Sequence, residues 1–445
     1  MPHIMPFKGI RYNLDLISAP GSVITPPYDV ISPEDQDMLY NQNPYNIIRL
    51  EYGKSFSEDS SEDNRYTRTA KAFNNWLDQG ILQVDKDSFY YCHEQTFKWQ
   101  DQIFQRLGIL AALKLEPYSS GVVLPHEKTM AGPKEDRFKL LKHTGANFSP
   151  IMTLFPDQEQ LMAACREKVC VKEPVLDAYD YSGNRHRLWP VDDRDLSVKL
   201  TACLKDRPAL IADGHHRYET ALHYSQKVNL NRLPGAGYIL TTLIAAEDPG
   251  LLMLPAHRLV STQNNAQQTW LKTLIEKEFT FISRGLPGEL KTQAFNQELE
   301  SLAAKKRAIG FITEGRAGFL IPQRNIASTD LPLTILHERL LEPVLTAEKN
   351  NDDHPQAGSS QQKIQLTFTP DLAEAITAVL ERKADNAFII APMPVAKVLE
   401  RSRKGLIMPR KSTYFYPKLP VGLVLYHCEL SQGDWVDGDS TGFNK

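Results

Sequence analysis

A polar turn between an apolar run and a helical pattern carries the densest set of reactive side chains in the sequence. The apolar run 209–212 ends at this turn, and apolar residues at helical spacing resume directly after it. The turn contains a carboxylate, a glycine, two imidazoles and a guanidinium, in the order Asp213, Gly214, His215, His216 and Arg217. Main-chain N–H groups at a helix start favour anions, and a neighbouring arginine adds charge. The pattern predicts a strand, a tight turn and a helix that together form an anion site; the alternative is a solvated turn whose histidines cap the helix.

A second polar segment, 124–137, places histidine, acidic and basic residues among prolines and a glycine. It precedes a short helical pattern that starts near Phe138. Glu127 is a candidate carboxylate, and Lys134 and Arg137 are candidate cations. We predict a functional loop here, although a run of charges often only solvates a surface.

Three further candidates lie far apart in the sequence. Asp29 follows two prolines, which hold the backbone extended and cannot donate to a sheet. Arg258 ends another apolar run, and Lys411 opens a segment of interleaved basic, hydroxyl and aromatic residues. Such a segment suits a phosphate or a stacked base, but aromatic residues between prolines also occur in ordinary packing. Ser32 and Pro33 next to acidic residues predict a helix start.

Composition limits the class of protein. A chain of 445 residues is long enough for two domains, and 42% apolar with 24% charged residues is ordinary for a globular protein. The net charge of −3 makes a nucleic-acid partner unlikely. Five scattered cysteines without a CxxC spacing favour a reducing compartment, and no segment has the length of a membrane helix. We therefore expect a cytoplasmic protein that contacts no membrane.

Short strands and helices alternate along the chain, which predicts an α+β or mixed α/β fold. Segment 46–52 is predicted as a strand, 64–77 as a helix, and 88–99 with 103–115 as a hairpin. We divide the chain into a catalytic or nucleotide-binding region at 1–262, a C-terminal α/β region at 263–430 and a flexible tail at 431–445. The polar stretch 349–362 is predicted to be a mobile loop.

Familiar nucleotide and hydrolase motifs are absent, namely GxxxxGK[ST], GxGxxG after a strand and HExxH. A nucleotide site would therefore need a different architecture. Phosphoryl transfer needs neutralised phosphoryl charge, often by Mg²⁺, and a carboxylate that accepts the acceptor's proton. Glu127, Asp29 and Asp213 are the candidate carboxylates. A transition-metal hydrolase is a third reading, in which Asp213, His215 and His216 would act as ligands with help from His126, Glu127 or His257.

Six ordered motifs resemble a bacterial and archaeal family, domain of unknown function 1015. They are TPPYDVIS at 25–32, HEKT at 126–129, KEDR at 134–137, ADGHHRYETA at 212–221, LPAHRL at 254–259 and KSTYFYPKL at 411–419. The DGHHR box also resembles the phosphate-binding box of the ParB/sulfiredoxin-like superfamily, and most closely its free serine kinases.

The resemblance implies a ParB/sulfiredoxin-like core with large insertions and a C-terminal α/β part. It implies a kinase that phosphorylates L-serine to O-phosphoserine with ATP or ADP and Mg²⁺. In this reading the box residues bind the nucleotide phosphates, and Asp213 lies near the metal or substrate. The box residues are Gly214, His215, His216 and Arg217.

The same reading makes Glu127 the first choice for the catalytic glutamate and Asp29 the second. Lys134, Arg137, Arg258 and Lys411 are further candidates for nucleotide binding. Some ParB-like proteins suggest the alternative of a nucleotide-binding regulatory protein without metabolite kinase activity. The chain is about twice as long as the compact serine kinases, so its acceptor pocket need not match theirs.

Overall fold

The computed structural model describes residues 2–127, 129, 131–205, 207–262, 264–323, 330–346, 364–409 and 411–432. The predicted mobile loop at 349–362 lies outside these residues, as does the predicted tail from residue 433 onward.

Helices and strands are both abundant, as an α+β fold requires. The strands are β1 Ile4–Met5, β2 Ile10–Tyr12, β3 Leu82–Val84, β4 Tyr91–Trp99, β5 Gln102–Lys114, β6 Val123–Leu124, β7 Ala146–Asn147, β8 Ile151–Phe155, β9 Leu176–Tyr179, β10 Arg185–Pro190, β11 Ala209–Asp213, β12 Tyr238–Ala245, β13 Leu252–Leu254, β14 His257–Ser261, β15 Phe279–Gly285, β16 Ile309–Thr313, β17 Arg316–Pro322, β18 Gln365–Thr369, β19 Asn386–Ile389, β20 Tyr414–Tyr416 and β21 Tyr426–His427. The α-helices are α1 Pro33–Gln42, α2 Ile48–Glu51, α3 Arg65–Asp78, α4 Ala131–Thr144, α5 Leu161–Lys168, α6 Arg194–Ala202, α7 His215–Ser225, α8 Asn265–Glu278, α9 Thr292–Lys306, α10 Pro332–Leu336, α11 Glu342–Thr346, α12 Leu372–Leu380 and α13 Val395–Arg403. A π-helical segment, His337–Leu341, joins α10 to α11, and short 3-10 helices occupy Pro20–Ser22, Tyr28–Val30, Tyr118–Ser120, Pro234–Gly237 and Pro287–Glu289.

The described residues form two compact units. Unit 1 comprises those within Met1–Leu252, Leu399–Leu406 and Phe415–Lys445, and unit 2 those within Met253–Val398 and Ile407–Tyr414. Segments near the C-terminus therefore belong to unit 1. The division into consecutive regions at 1–262 and 263–430 does not include this return of the chain.

Unit 1 is built on a mixed nine-stranded sheet. Its strand order is β6-β11-β8-β12-β5-β4-β10-β9, and β1 pairs with β5. Strand β11 runs parallel to β6 and antiparallel to β8, while β12 runs parallel to β8. The predicted hairpin is confirmed as β4 and β5, which pair from Tyr91 opposite Leu110 to Trp99 opposite Gln102. Large side chains such as Phe7, Tyr91 and Trp189 fill the core of this unit.

Local capping explains several helix starts. Ser32 accepts from the main-chain N–H of Asp35, and the Asp35 carboxylate accepts from the N–H of Ser32, so the predicted start of α1 is confirmed. Asn64 caps α3 in the same reciprocal way with Thr67, which confirms the predicted helix.

The strand predicted at 46–52 is wrong, because this segment forms α2. The Asn46 amide oxygen accepts from the Ile48 N–H at 2.9 Å, and its amide nitrogen donates to the Ser22 carbonyl at 2.8 Å. This buried side chain starts a helical turn that the β-branched residues alone would not favour.

The polar loop predicted through residue 137 is also shorter than expected. Helix α4 begins at Ala131, so Lys134 and Arg137 lie on a helix. Lysine, glutamate and arginine are good helix formers, and Glu135 pairs with Lys139 one turn later at 2.8 Å.

Unit 2 has an antiparallel six-stranded sheet in the order β15-β17-β16-β19-β14-β18. One apolar cluster joins α8 and α10 to this sheet, and another joins α9 and α12 to it. None of the described helices combines the length and apolar character needed to cross a membrane.

Candidate functional site

The polar turn lies between β11 and α7, which confirms the predicted strand, turn and helix. Gly214 has φ +93° and stands at the N-cap of α7, where it supplies no side-chain cap. A Cβ added to Gly214 would lie 2.7 Å from a methyl carbon of Ile151 and 3.1 Å from Arg217 Nη2. Both the left-handed backbone and this close approach require glycine at the corner.

Asp213 binds two cations at this corner. Its Oδ2 lies 2.7 Å from Arg217 Nη2, and its Oδ1 pairs with Lys418 Nζ. Arg217 also donates from Nη1 to the Pro150 carbonyl at 2.5 Å. Burial acts to raise the pKa of Asp213, but the charges of Lys418 and Arg217 outweigh it and lower that pKa. Asp213 is therefore an ionised anchor for two positive groups.

Two histidines, His126 and His215, pack edge to face next to the corner. The main-chain N–H of His126 donates to His215 Nε2 at 3.3 Å, and His126 Nδ1 lies 2.8 Å from the Ile211 carbonyl. Their rings are nearly perpendicular, with centroids 4.6 Å apart. Burial lowers the pKa of His126 to about 4 and that of His215 well below its usual value. Both rings are thus neutral at pH 7, and because His215 Nε2 accepts, this network assigns its proton to Nδ1.

Glu127 follows His126 and lies beside the neutral pair. Its Oε1 is 3.8 Å from His215 Nδ1, and its side chain keeps 19% exposure. A donor nitrogen thus points toward a carboxylate that remains in reach of solvent or substrate.

A second group of charges surrounds Glu51 at the end of α2. Arg137 Nη1 lies 3.4 Å from Glu51 Oε1 and 2.8 Å from the Glu51 carbonyl, and the Ser149 hydroxyl donates to Oε1 at 2.9 Å. The Arg137 guanidinium also lies 4.1 Å from the centre of the Tyr28 ring. Burial raises the pKa of Glu51, and its side chain is only 2% exposed.

A cavity of about 40 Å³ connects this group to α7. Glu51, Arg137 and Ser149 line one part of it, and Arg217 and Thr220 line another. The structure therefore brings together two predicted cations from different motifs, Arg137 and Arg217.

Lys134 lies one turn before Arg137 on α4 and pairs with α7. Its Nζ is 2.9 Å from Glu219 Oε2, which also accepts from the Thr129 hydroxyl at 2.6 Å. His216 is half-buried in the first turn of α7, and Asp29 is exposed on the 3-10 helix Tyr28–Val30.

Arg258 and Lys411, two other predicted nucleotide ligands, belong to unit 2. Arg258 is fully buried and donates to the Ala256 carbonyl, to the Lys411 carbonyl at 2.9 Å and to His337 Nε2 at 3.3 Å. The Arg258 guanidinium therefore binds two main-chain carbonyls and the His337 ring.

The donor set does not suit a metal centre made of several protein ligands. Within the described ranges, no three histidine, cysteine or acidic side chains cluster closely enough to hold an ion. Each oxygen of Asp213, the predicted metal ligand, already accepts from a cation.

Sequence reasoning did not select Lys418, Glu51, Tyr28 or Ser149. Lys418 lies in the recognised KSTYFYPKL motif, where Lys411 was chosen instead. Glu51 is an acidic residue that follows the apolar residues Ile47, Ile48 and Leu50, a signal that a buried ion pair would explain.

The assembled corner can bind an anion. Arg217 and Lys418 meet at the start of α7, and Arg137 lines the adjoining cavity, so positive charge gathers around main-chain donors of a helix start. Glu127 supplies a carboxylate beside a neutral imidazole.

Several solved structures resemble the chain at low sequence identity. A mutant form of free serine kinase in complex with ADP shares 14% identity, with a TM-score of 0.37 and coverage of 71% of this chain and 92% of that one. A conserved hypothetical protein from Pyrococcus furiosus shares 16%, with a TM-score of 0.35 and coverage of 71% and 95%. C-terminally truncated SbnI from Staphylococcus aureus shares 10%, with a TM-score of 0.34 and coverage of 70% and 85%.

No protein with a curated description matches the chain. One family model matches residues 4–344, which is more than half of the 445 residues and includes all the candidate site residues except Lys411 and Lys418. The chain therefore belongs to the family described as protein of unknown function, DUF1015.

Proposed function

We propose that the protein is a cytoplasmic small-molecule kinase that transfers a phosphoryl group from ATP or ADP to a hydroxyl acceptor, with L-serine as the first acceptor to test. The observation that carries the proposal is the binding of Arg217 and Lys418 to the two oxygens of Asp213 at the start of α7. Phosphoryl transfer requires fixed positive charge and oriented donors around the phosphoryl oxygens.

Arg217 retains donors for a phosphate. A guanidinium has five N–H donors, and Arg217 uses one on Asp213 Oδ2 and one on the Pro150 carbonyl. Asp213 fixes the direction of both cations before a ligand binds, which lowers the cost of ordering them. Gly214 lets the chain turn close to Ile151 and Arg217, where a Cβ would clash.

Glu127 is our choice for the group that accepts the acceptor's proton. A general base must reach the substrate, and Glu127 keeps 19% exposure whereas Glu51 keeps 2%. His215 Nδ1 lies 3.8 Å from Glu127 Oε1, beside the proposed base. Glu51, bound to Arg137 and Ser149, instead holds the Arg137 guanidinium at the cavity.

Mg²⁺ bound to the nucleotide phosphates would offset their charge, as it does in many kinases. The protein groups assigned above bind the phosphates, orient the ligand and accept the acceptor's proton.

The direct test is incubation of the purified protein with L-serine, ATP or ADP and Mg²⁺, followed by mass spectrometry for O-phosphoserine. Arg217→Met should lower the rate more than about tenfold, because each interaction worth about 1.4 kcal/mol in the transition state contributes that factor. Arg185→Met is the matched control, since Arg185 forms an exposed pair with Asp177 at the far edge of the sheet.

Absence of product from a panel of hydroxyl amino acids and sugars would contradict the kinase proposal. If nucleotide still binds in that case, as measured by calorimetry, the regulatory nucleotide-binding alternative replaces it.

A further inference from the structure

The segment that carries Lys418 lies across one face of the β4–β5 hairpin. Residues two apart on a strand share a face, and register pairs Gln95 with Arg106 and Phe97 with Phe104. His93 lies two residues before Gln95, so these side chains form one continuous surface on the hairpin. Both the hairpin and residues 415–418 belong to unit 1.

Polar side chains of this surface bind three successive carbonyls. Arg106 donates from Nη1 to the Tyr416 carbonyl at 3.3 Å and from Nη2 to the Pro417 carbonyl at 2.8 Å. Gln95 donates to the Lys418 carbonyl at 3.4 Å, and its amide oxygen accepts from Arg106. These hydrogen bonds therefore hold the main chain of residues 416–418, which carries the Lys418 side chain.

Aromatic side chains hold the same segment. The Tyr416 ring packs edge-on against Phe97, with centroids 5.7 Å apart, and lies 4.7 Å from the Trp99 ring. Phe97 stacks on Phe104 across the hairpin. Such contacts fix the position of the segment but do not select which way its carbonyls face.

Arg106 is a costly residue for packing alone. It is 1% exposed, and it donates to neutral oxygens of Tyr416, Pro417 and Gln95. Burial lowers the pKa of Arg106 to about 10, and Asp248 and Asp213 counteract this through their charge. Burying a charge that is not paired with an opposite charge costs free energy, so stability by itself does not explain Arg106.

We propose that Arg106 and Gln95 are positioning residues, which hold the Tyr416–Lys418 main chain so that the Lys418 ammonium meets Asp213 at the start of α7. The consequence for nucleotide binding rests on the proposed function, whereas the placement of Lys418 does not. The β4–β5 hairpin is then part of the site's support.

The test uses two variants that both leave the net charge of the protein unchanged. Gln95→Met removes the donor to the Lys418 carbonyl and leaves the charge of the protein unchanged. Arg106→Lys keeps the positive charge, but a single ammonium cannot reproduce the planar fork that reaches two carbonyls. Arg187→Lys is the matched control, because Arg187 binds Glu94, whose side chain lies on the opposite face of the hairpin.

The first readout is independent of any ligand. The full-length proteins are treated with an amine-acetylating reagent, and the rate of modification at Lys418 is followed by mass spectrometry. We expect the rate to rise by about tenfold in Gln95→Met and in Arg106→Lys and to stay unchanged in Arg187→Lys, with circular dichroism confirming the fold of each. An unchanged rate in both folded variants would overturn the proposal.

The second readout is a double-mutant cycle on ATP affinity. If Arg106 acts through Lys418, Arg106→Lys weakens binding in the native protein and has no further effect in a Lys418→Met background. Equal losses in the two backgrounds would contradict positioning through Lys418. If the unmodified protein does not bind ATP, the proposed function fails, and the acetylation rates alone then decide whether Arg106 and Gln95 position Lys418.

Discussion

Asp213 and Lys418 are 205 residues apart in the chain and form an ion pair. Arg217 occupies the other oxygen of the same carboxylate at 2.7 Å. A segment near the C-terminus therefore completes a corner whose other parts lie within one strand, turn and helix.

Replacing Lys418 with methionine tests the ion pair directly. The variant has a side chain of similar length but no ammonium. Of the two cations on Asp213, only Arg217 then remains. We expect the free energy of unfolding to fall by about 1.5–3 kcal/mol, the usual worth of a charged hydrogen bond. Urea denaturation measures it, with Lys172→Met as the control, since Lys172 forms a surface pair with Asp192 worth about 1 kcal/mol at most. Equal losses in the two variants would mean that the pair contributes no more than a surface contact.

Replacing Gly214 with alanine tests the shape of the corner. The backbone at φ +93° and the approach of Ile151 to 2.7 Å both oppose a Cβ. Gly80→Ala is a matched control, because Gly80 also has a left-handed backbone but nothing within 4 Å of an added Cβ. We expect about 1–2 kcal/mol of destabilisation in Gly80→Ala from the backbone alone, and a clearly larger loss in Gly214→Ala. Thermal unfolding of both variants measures the difference, and similar losses would show that Ile151 yields at little cost.

Replacing Glu127 with glutamine tests the proposed base. The amide has nearly the same shape but cannot accept a proton at neutral pH, so the turnover rate should fall by about 100-fold while nucleotide affinity changes little. Glu51→Gln is the comparison, because Glu51 is buried against Arg137 and we expect it to alter affinity more than turnover. Steady-state kinetics with the identified acceptor separates the two effects. A larger loss of turnover in Glu51→Gln would transfer the role to Glu51.

Two of the buried histidines, His126 and His215, predict a loss of stability in mild acid. Burial lowers the pKa of His126 to about 4 and lowers that of His215 as well, so the unfolded chain binds more protons than the folded one as the pH falls below about 6.5. The contribution of these two histidines to stability is complete above that pH. As the pH falls below it, the free energy of unfolding decreases by up to about 1.4 kcal/mol per pH unit for each histidine. For His126 this loss ends near pH 4. Urea denaturation from pH 7 to 4 measures the slope, which His126→Asn should reduce; an unchanged slope would contradict the assignment.

The local features of the corner were predictable because they depend on neighbours in the sequence. An apolar run that ends at Asp213 and Gly214 and is followed by helical spacing predicts a strand, a turn and a helix, and the structure has all three. The Ser32 cap and the β4–β5 hairpin were predictable for the same reason. The six ordered motifs also indicated the family that the match over residues 4–344 establishes.

Predictions failed where a distant partner decides the local structure. Residues 46–52 have the composition of a strand, but the Asn46 side chain binds Ser22 and starts a helix. The helix α4 extends through residues that look like a charged loop, because its charges pair along the helix and with α7.

The sequence by itself therefore determined the strand, the tight turn at Gly214 and the helix that form this corner, since hydrophobic spacing and backbone sterics act over a few residues. Only the tertiary structure decided which cations reach that corner. Lys418 rather than Lys411 binds Asp213, and Arg137 shares a cavity with Arg217, because the pairing of charges depends on how strands and helices pack in space. No local pattern distinguishes one lysine of the KSTYFYPKL motif from the other. In the folded protein, the Arg106 and Gln95 side chains bind the main chain next to Lys418.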